Sequence, residues 1–198
     1  MTAHLRAQTY DPAYNRVPGA VLEYRGTPHT VAKMIELCLG PRGEKSIMVR
    51  RHAEQIVANL RPKDYASECM AIYYWWMRAG RYTRDPVHVE LLKDPQRMVE
   101  DADAGRLVCD CDELATGIAT DCLVVGSKAR FVTVSFKNRQ HPSWLPGSRA
   151  AREGPYTHVF AQAQDPRTGI WWTLDPVAGR RVERMQQRVK QMRIYPIG

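Results

Sequence analysis

The hydrophobic rhythm of this chain changes at Gly126. Before it, apolar residues recur at helical spacing, as Leu114, Ala115, Ile118, Ala119, Cys122 and Leu123 do. After it, Ala129 to Phe136 alternates residue by residue, with Arg130, Val132, Val134 and Phe136 on one side. A helix-period pattern does not settle as a strand, nor the reverse. Helices therefore occupy the first part of the chain and antiparallel strands the second, an α+β layout.

Val31, Met34, Ile35 and Cys38 share a face and set a helix over 31–39, stopped by Gly40-Pro41. Val49, Ala53, Ile56, Val57 and Leu60 set a second over 46–60. A third, over 65–79, contains Ala71-Ile72-Tyr73-Tyr74-Trp75-Trp76-Met77, apolar nearly all round and so central to a core. Short helical turns are expected at 89–92 and 94–98, then a buried helix from Cys111 to about Val125. Strands follow at 129–136, 156–164 and 170–176, the last two joined by the turn Asp165-Pro166-Arg167-Thr168-Gly169. The Pro-rich stretch 137–155 is a loop long enough to border a cleft. Residues 1–28, with Pro12, Pro18, Gly19, Gly26 and Pro28, read as an extended arm. Residues 178–198 read as a basic helix and tail, with Val182, Met185, Val189 and Met192 on one face. The domain proper is 29–177.

Composition removes several functions. The net charge is +8, but basic residues scatter from Arg6 to Arg193 instead of clustering among aromatics, so nucleic acid is not an expected partner. No run approaches the roughly 18 apolar residues a membrane span needs. The opening Met1 to Arg16 lacks the apolar centre of a secretory leader, so a cytoplasmic protein is expected. Five cysteines (38, 69, 109, 111, 122) are an odd number at irregular spacing, which favours reduced thiols over a disulfide framework. Cys38 and Cys69 fall on apolar helix faces, where they pack. Cys109, Cys111, Cys122 and His141 lack the spacing of a zinc finger or ribbon, so neither metal nor cofactor is expected.

One cysteine stands apart. Asp110 is a favoured N-cap, Glu113 three positions on completes a capping-box pattern, and Cys111 falls at the first helical position. Helix-start amides and the dipole favour a thiolate there, while Asp110, Asp112 and Glu113 oppose it. A positive imidazolium would tip that balance. His158 and Asp175 lie on the two strands of the expected hairpin, equally far from its midpoint at Pro166-Arg167, so they face each other across it. Thiol, imidazole and carboxylate in this order make a nucleophile, its base and the group that orients the base.

The motifs carrying the trio resemble the transglutaminase-like cysteine peptidase superfamily, in its bacteriophage-type members. Their Gly-Asp-Cys-Asp-Asp-x-Ala signature is matched by Cys109-Asp110-Cys111-Asp112-Glu113-Leu114-Ala115, with Cys109 in place of Gly and Glu113 in place of Asp. Their His strand and Leu-Asp-Pro strand are matched by His158-Val159-Phe160 and Leu174-Asp175-Pro176. Arg81-Tyr82-Thr83-Arg84-Asp85-Pro86 and the residues after it are similar to the family's lead-in, so the resemblance spans about 45–177. It implies a papain-like core, with Cys111 as nucleophile, His158 as base and Asp175 as orienter. The oxyanion would be held by the Cys111 backbone N–H and a second upstream donor, for which the indoles of Trp75 and Trp76 are candidates beside their plainer role as core. The substrate would be a peptide or side-chain amide, hydrolysed through a thioester, with amine transfer as a variant. An alternative of another class is a phage virion or assembly protein, using the fold as an interaction module. It would bind structural proteins through the N-terminal arm and C-terminal helix, in the infected host's cytoplasm or on the particle.

Overall fold

A computed structural model of the chain describes residues 19–23, 27–83, 89–136, 156–178 and 187–198. The order is β1 (Gly19–Glu23), α1 (Thr27–Leu39), α2 (Ile47–Val57), α3 (Tyr65–Ala79), β2 (Arg81–Tyr82), β3 (Val89–Lys93), α4 (Pro95–Asp103), β4 (Val108–Cys109), α5 (Cys111–Val124), β5 (Lys128–Phe136), β6 (His158–Gln164), β7 (Trp171–Leu174) and β8 (Val189–Ile197). This is a mixed α+β domain. One antiparallel sheet has the order β7-β6-β5-β8, and two small ladders join β1 to β3 and β2 to β4.

Local chemistry sets the helix ends. The Ser46 hydroxyl accepts the Val49 amide ahead of α2, and Asp64 accepts the Ser67 amide ahead of α3. Asp94 accepts the Arg97 amide ahead of α4, where Pro95 suits a first-turn position whose N–H needs no helical acceptor. The change of rhythm at Gly126 has a specific structure. Gly126, at φ +91°, donates to the Leu123 carbonyl, and Ser127 donates to the Cys122 carbonyl. This paired closure ends α5 through a left-handed residue and sends the chain directly into β5.

The core lies between the helices and one face of the sheet. Ile118, Ala119 and Cys122 of α5 are buried together with Met34 and Cys38 of α1, Ile72 and Trp76 of α3, and Phe131, Ala161, Ala163 and Leu174 of the sheet. Helix α5 is buried along its whole length from Asp112 to Cys122, so it is the central helix. Gly117 makes this packing feasible, because a Cβ there would fall 2.6 Å from ring atoms of Trp76. The sheet's other face buries Val132, Val134 and Phe160, with Phe136 and Val189 packed against them.

The structure departs from the sequence reading in four places. The C-terminal stretch is a strand, β8, and pairs antiparallel with β5 from Phe136↔Val189 to Ala129↔Ile197. Val189 and Met192, three apart, have helical spacing, which the strand accommodates through a register shift at Ser135/Phe136. Pro196 would break a helix but is tolerated in an edge strand. Val182 and Met185 lie outside the described residues. Within the supposed arm, 19–23 forms β1 and α1 already begins at Thr27, with Pro28 in its first turn. Residues 89–93 form β3 instead of a helical turn, because β1 supplies a partner strand and five residues are too few to hold a helix. The hairpin pairs Ala161↔Leu174 and Gln164↔Trp171, two residues from the expected alignment. The 137–155 loop and Arg84-Asp85-Pro86 also lie outside the described residues.

Candidate active site

The Gly126 turn makes α5 and β5 run antiparallel. The start of α5 therefore sits at the end of the sheet where β5 finishes, β6 starts and β7 finishes. Cys111 opens α5, His158 opens β6, and Asp175 follows the last residue of β7. Topology gathers them from 65 positions of sequence, from 111 to 175.

His158 and Asp175 meet directly. The imidazole Nε2 lies 2.7 Å from Asp175 Oδ2, and both side chains are buried. The two-residue offset in register left this contact intact. An even slip keeps every side chain on its own face, and diagonal neighbours on a sheet remain within reach of a long side chain. Asp175 is fully buried and held from several sides. Its Oδ1 accepts the Val177 and Ala178 amides at 3.0 Å each, and its carbonyl accepts the Tyr73 hydroxyl at 3.5 Å. A carboxylate accepts only, so Nε2 carries a proton, and in the neutral imidazole the lone pair is on Nδ1. The rings of Phe136 and Phe160, with centroids 6.3 and 6.0 Å away, flank the imidazole.

Cys111 is half-buried at the first position of α5. The capping box is present: Asp110 accepts from helix-start amides, and Glu113 Oε2 accepts the Asp110 amide at 3.2 Å. Glu113 Oε1 lies 3.2 Å from Lys93 Nζ and accepts the Lys93 amide at 3.3 Å. Lys93 Nζ also donates to the Val108 carbonyl. The helix start is thus tied to β3 and β4. The α5 layer packs on the pleat face bearing Ala161 and Ala163, while His158 shares the opposite pleat face with Phe160. The structure joins His158 to Asp175 by a hydrogen bond, and Cys111 opens the helix that packs on the sheet's other pleat face.

The other four thiols are buried. Burial pushes Cys38 and Cys109 up to about 12, whereas the hydrogen bond shared by Cys69 and Cys122 raises Cys122, with burial adding to the rise, and lowers Cys69. Trp76 is not an oxyanion donor, since its indole N–H is spent on Asp121 Oδ2 at 2.7 Å. Trp75 packs edge-on to His52, with ring centroids 4.2 Å apart, and helps line a cavity of about 440 Å³ with Ile56, Ala71, Tyr74 and Arg78. Among the described residues no three His, Cys, Asp or Glu side chains group as metal ligands, and His141 lies outside them. No helix there is long and apolar enough to cross a membrane.

Sequence reasoning missed two features. Lys93 gave no signal, because its partner is 20 residues on and on another element. The buried pair of His52 and Asp121, with Nδ1 to Oδ2 at 3.3 Å, likewise needs the fold to appear. Comparisons of the chain with protein-family models, curated proteins and solved structures found no match.

Proposed function

We propose that this chain is a cysteine-dependent acyl-transfer enzyme of the transglutaminase-like, papain-like type, hydrolysing peptide or side-chain amides. The observation that carries the reading is the short His158–Asp175 hydrogen bond, in a sheet packed against the helix that Cys111 opens. In the proposed reaction the Cys111 thiol gives its proton to His158 Nδ1, and the sulfur attacks the amide carbonyl. The tetrahedral oxyanion is held by the helix-start backbone N–H of Cys111. The imidazolium then protonates the departing amine, leaving an acyl group on sulfur. Water, deprotonated by the same nitrogen, releases the acid and restores the thiol. An amine in place of water gives transfer.

Hydroxylamine tests this reading, since it intercepts a thioester as a hydroxamate. A panel of peptide and glutamine-type amides should yield hydroxamates with the unmodified chain and none with Cys111→Ala. Equal yields from both proteins would end the enzyme reading.

One observation favours the second reading, a phage virion or assembly protein. The C-terminal edge strand β8 exposes Met192 and Ile194, which suits a docking surface. Co-purification with particles, with no hydroxamate formed, would support it.

A further inference from the structure

We propose that Lys93 is a positioning residue for the nucleophile: it fixes the Asp110-Cys111 turn through Glu113 and offsets the negative charge gathered beside the thiol. This rests on the reading of Cys111 as the nucleophile.

The helix start has an electrostatic problem. Asp110, Asp112 and Glu113 surround the position where a thiolate must form, and like charges disfavour it. The capping geometry needs two of those carboxylates, so they cannot simply be absent. Asp110 accepts the Asp112 amide and Glu113 the Asp110 amide, while Asp112 Oδ1 takes the Glu113 amide.

Lys93 answers this from outside the helix. It is the last residue of β3, and its side chain is largely buried, as is that of Glu113. Its ammonium lies 3.2 Å from Glu113 Oε1, and its own backbone amide donates to the same oxygen. The other oxygen, Oε2, takes the Asp110 amide. One carboxylate therefore connects β3 to the peptide that leads into Cys111. The ammonium also donates to the Val108 carbonyl, at the start of the strand that carries the chain into the cap. Strand end, lead-in strand and helix cap are thus held by one cation.

The same charges act on the neighbouring thiol. Burial pushes Cys109 up to about 12, Glu113 adds to the rise and Lys93 opposes it. Cys111 sits two residues further along the same turn. Among the described residues, the titratable groups on these elements include Lys93 on β3, Arg81 and Tyr82 on β2, Cys109 on β4, Asp110, Asp112 and Glu113 at the start of α5, and His158 with Asp175 and Tyr73. Among the described residues Lys93 is the cation paired with Glu113, and Arg81 lies beside Val108 on the neighbouring strand β2.

The test is the pH profile of Cys111 alkylation by iodoacetamide, read site by site by mass spectrometry, with thermal unfolding in parallel. The proteins are the unmodified chain, Lys93→Met, Glu113→Gln and the double variant. Lys93→Met removes the charge and keeps most of the stem's packing. It should move the profile to higher pH and slow labelling at neutral pH roughly three- to tenfold, a thiol shift of about half to one unit. The double variant, which loses both charges, should return towards the unmodified profile. Glu113→Gln alone should move it to lower pH, which keeps the test alive if Lys93→Met does not fold. An unmoved profile in Lys93→Met, or no recovery in the double variant, overturns the assignment. In the absence of folded Lys93→Met, an unmoved or raised profile in Glu113→Gln does so. An ordinary thiol profile at Cys111 in the unmodified chain sinks the enzyme reading, whereas the offset between variants decides Lys93.

Discussion

Two buried His–Asp pairs occur among the described residues, and they are built differently. At the end of the sheet, His158 Nε2 and Asp175 Oδ2 stand 2.7 Å apart, and the second carboxylate oxygen is satisfied by two backbone amides. In the helical layer, His52 Nδ1 and Asp121 Oδ2 stand 3.3 Å apart without hydrogen-bond alignment, and that oxygen is given to the Trp76 indole. Both ring nitrogens of His52 and Asp121 Oδ1 lack a hydrogen-bond partner among the described residues. The first arrangement holds the imidazole through Nε2, which in the neutral ring puts the lone pair on Nδ1. The second anchors a tryptophan. Proximity of His to Asp therefore says little about function, and what the carboxylate's other contacts do says much.

Exchanging the roles of the two carboxylates is the strongest way to break this contrast. Asp175→Asn keeps an oxygen for the Val177 and Ala178 amides but presents an N–H to Nε2, which forces the proton onto Nδ1. Amide turnover should fall on the order of 10,000-fold with the fold intact. Activity within tenfold of the unmodified chain would show that Asp175 does not orient the base. Asp121→Ala should do the opposite. Turnover should stay within about threefold, while denaturant unfolding shows a loss of about 1–3 kcal/mol from the stranded Trp76 N–H.

Gly117→Ala sharpens the structural side of the comparison. The added methyl would fall 2.6 Å from the Trp76 ring. Calorimetry should show a loss of about 1–3 kcal/mol from overpacking, with the protection of the Trp76 indole N–H against exchange reduced. An unchanged melting temperature would mean that Trp76 is free to move and is not anchored by Asp121.

The smallest effect concerns pH. The Cys38 thiol is raised by burial from 9.0 to about 12, so in this interval the unfolded chain sheds its proton before the folded one. Its contribution is complete below the ordinary thiol value and is lost as pH rises towards the folded value. The urea midpoint should fall across that interval. Cys38→Ser, which keeps a donor for the Thr116 carbonyl, should flatten the fall. A decline equally steep in the variant would assign it to other groups.

Much of this was legible in the sequence because it is local. The cap at Asp110, the Cys111 position, the limits of α3 and the alternation of β5 each follow from a few adjacent residues. The His158–Asp175 contact was legible because a hairpin is nearly local and an even register slip keeps side chains on their face. What escaped depends on distant partners. Strand β3 exists because β1 lies beside it, and Lys93 acquires a role only when β3 reaches α5. The C-terminal strand escaped because the spacing of Val189 and Met192 is helical, and the strand accommodates it through a register shift against β5.

The central claim is that Cys111 is a thiol activated by His158. The most direct measurement is the rate of Cys111 alkylation by iodoacetamide between pH 5 and pH 9, compared in the unmodified chain and His158→Ala. An activated thiol should label at least about tenfold faster below neutral pH than a free thiol, and His158→Ala should lose that advantage. Labelling that follows an ordinary thiol, rising towards about 8.5 in both proteins alike, would contradict the account.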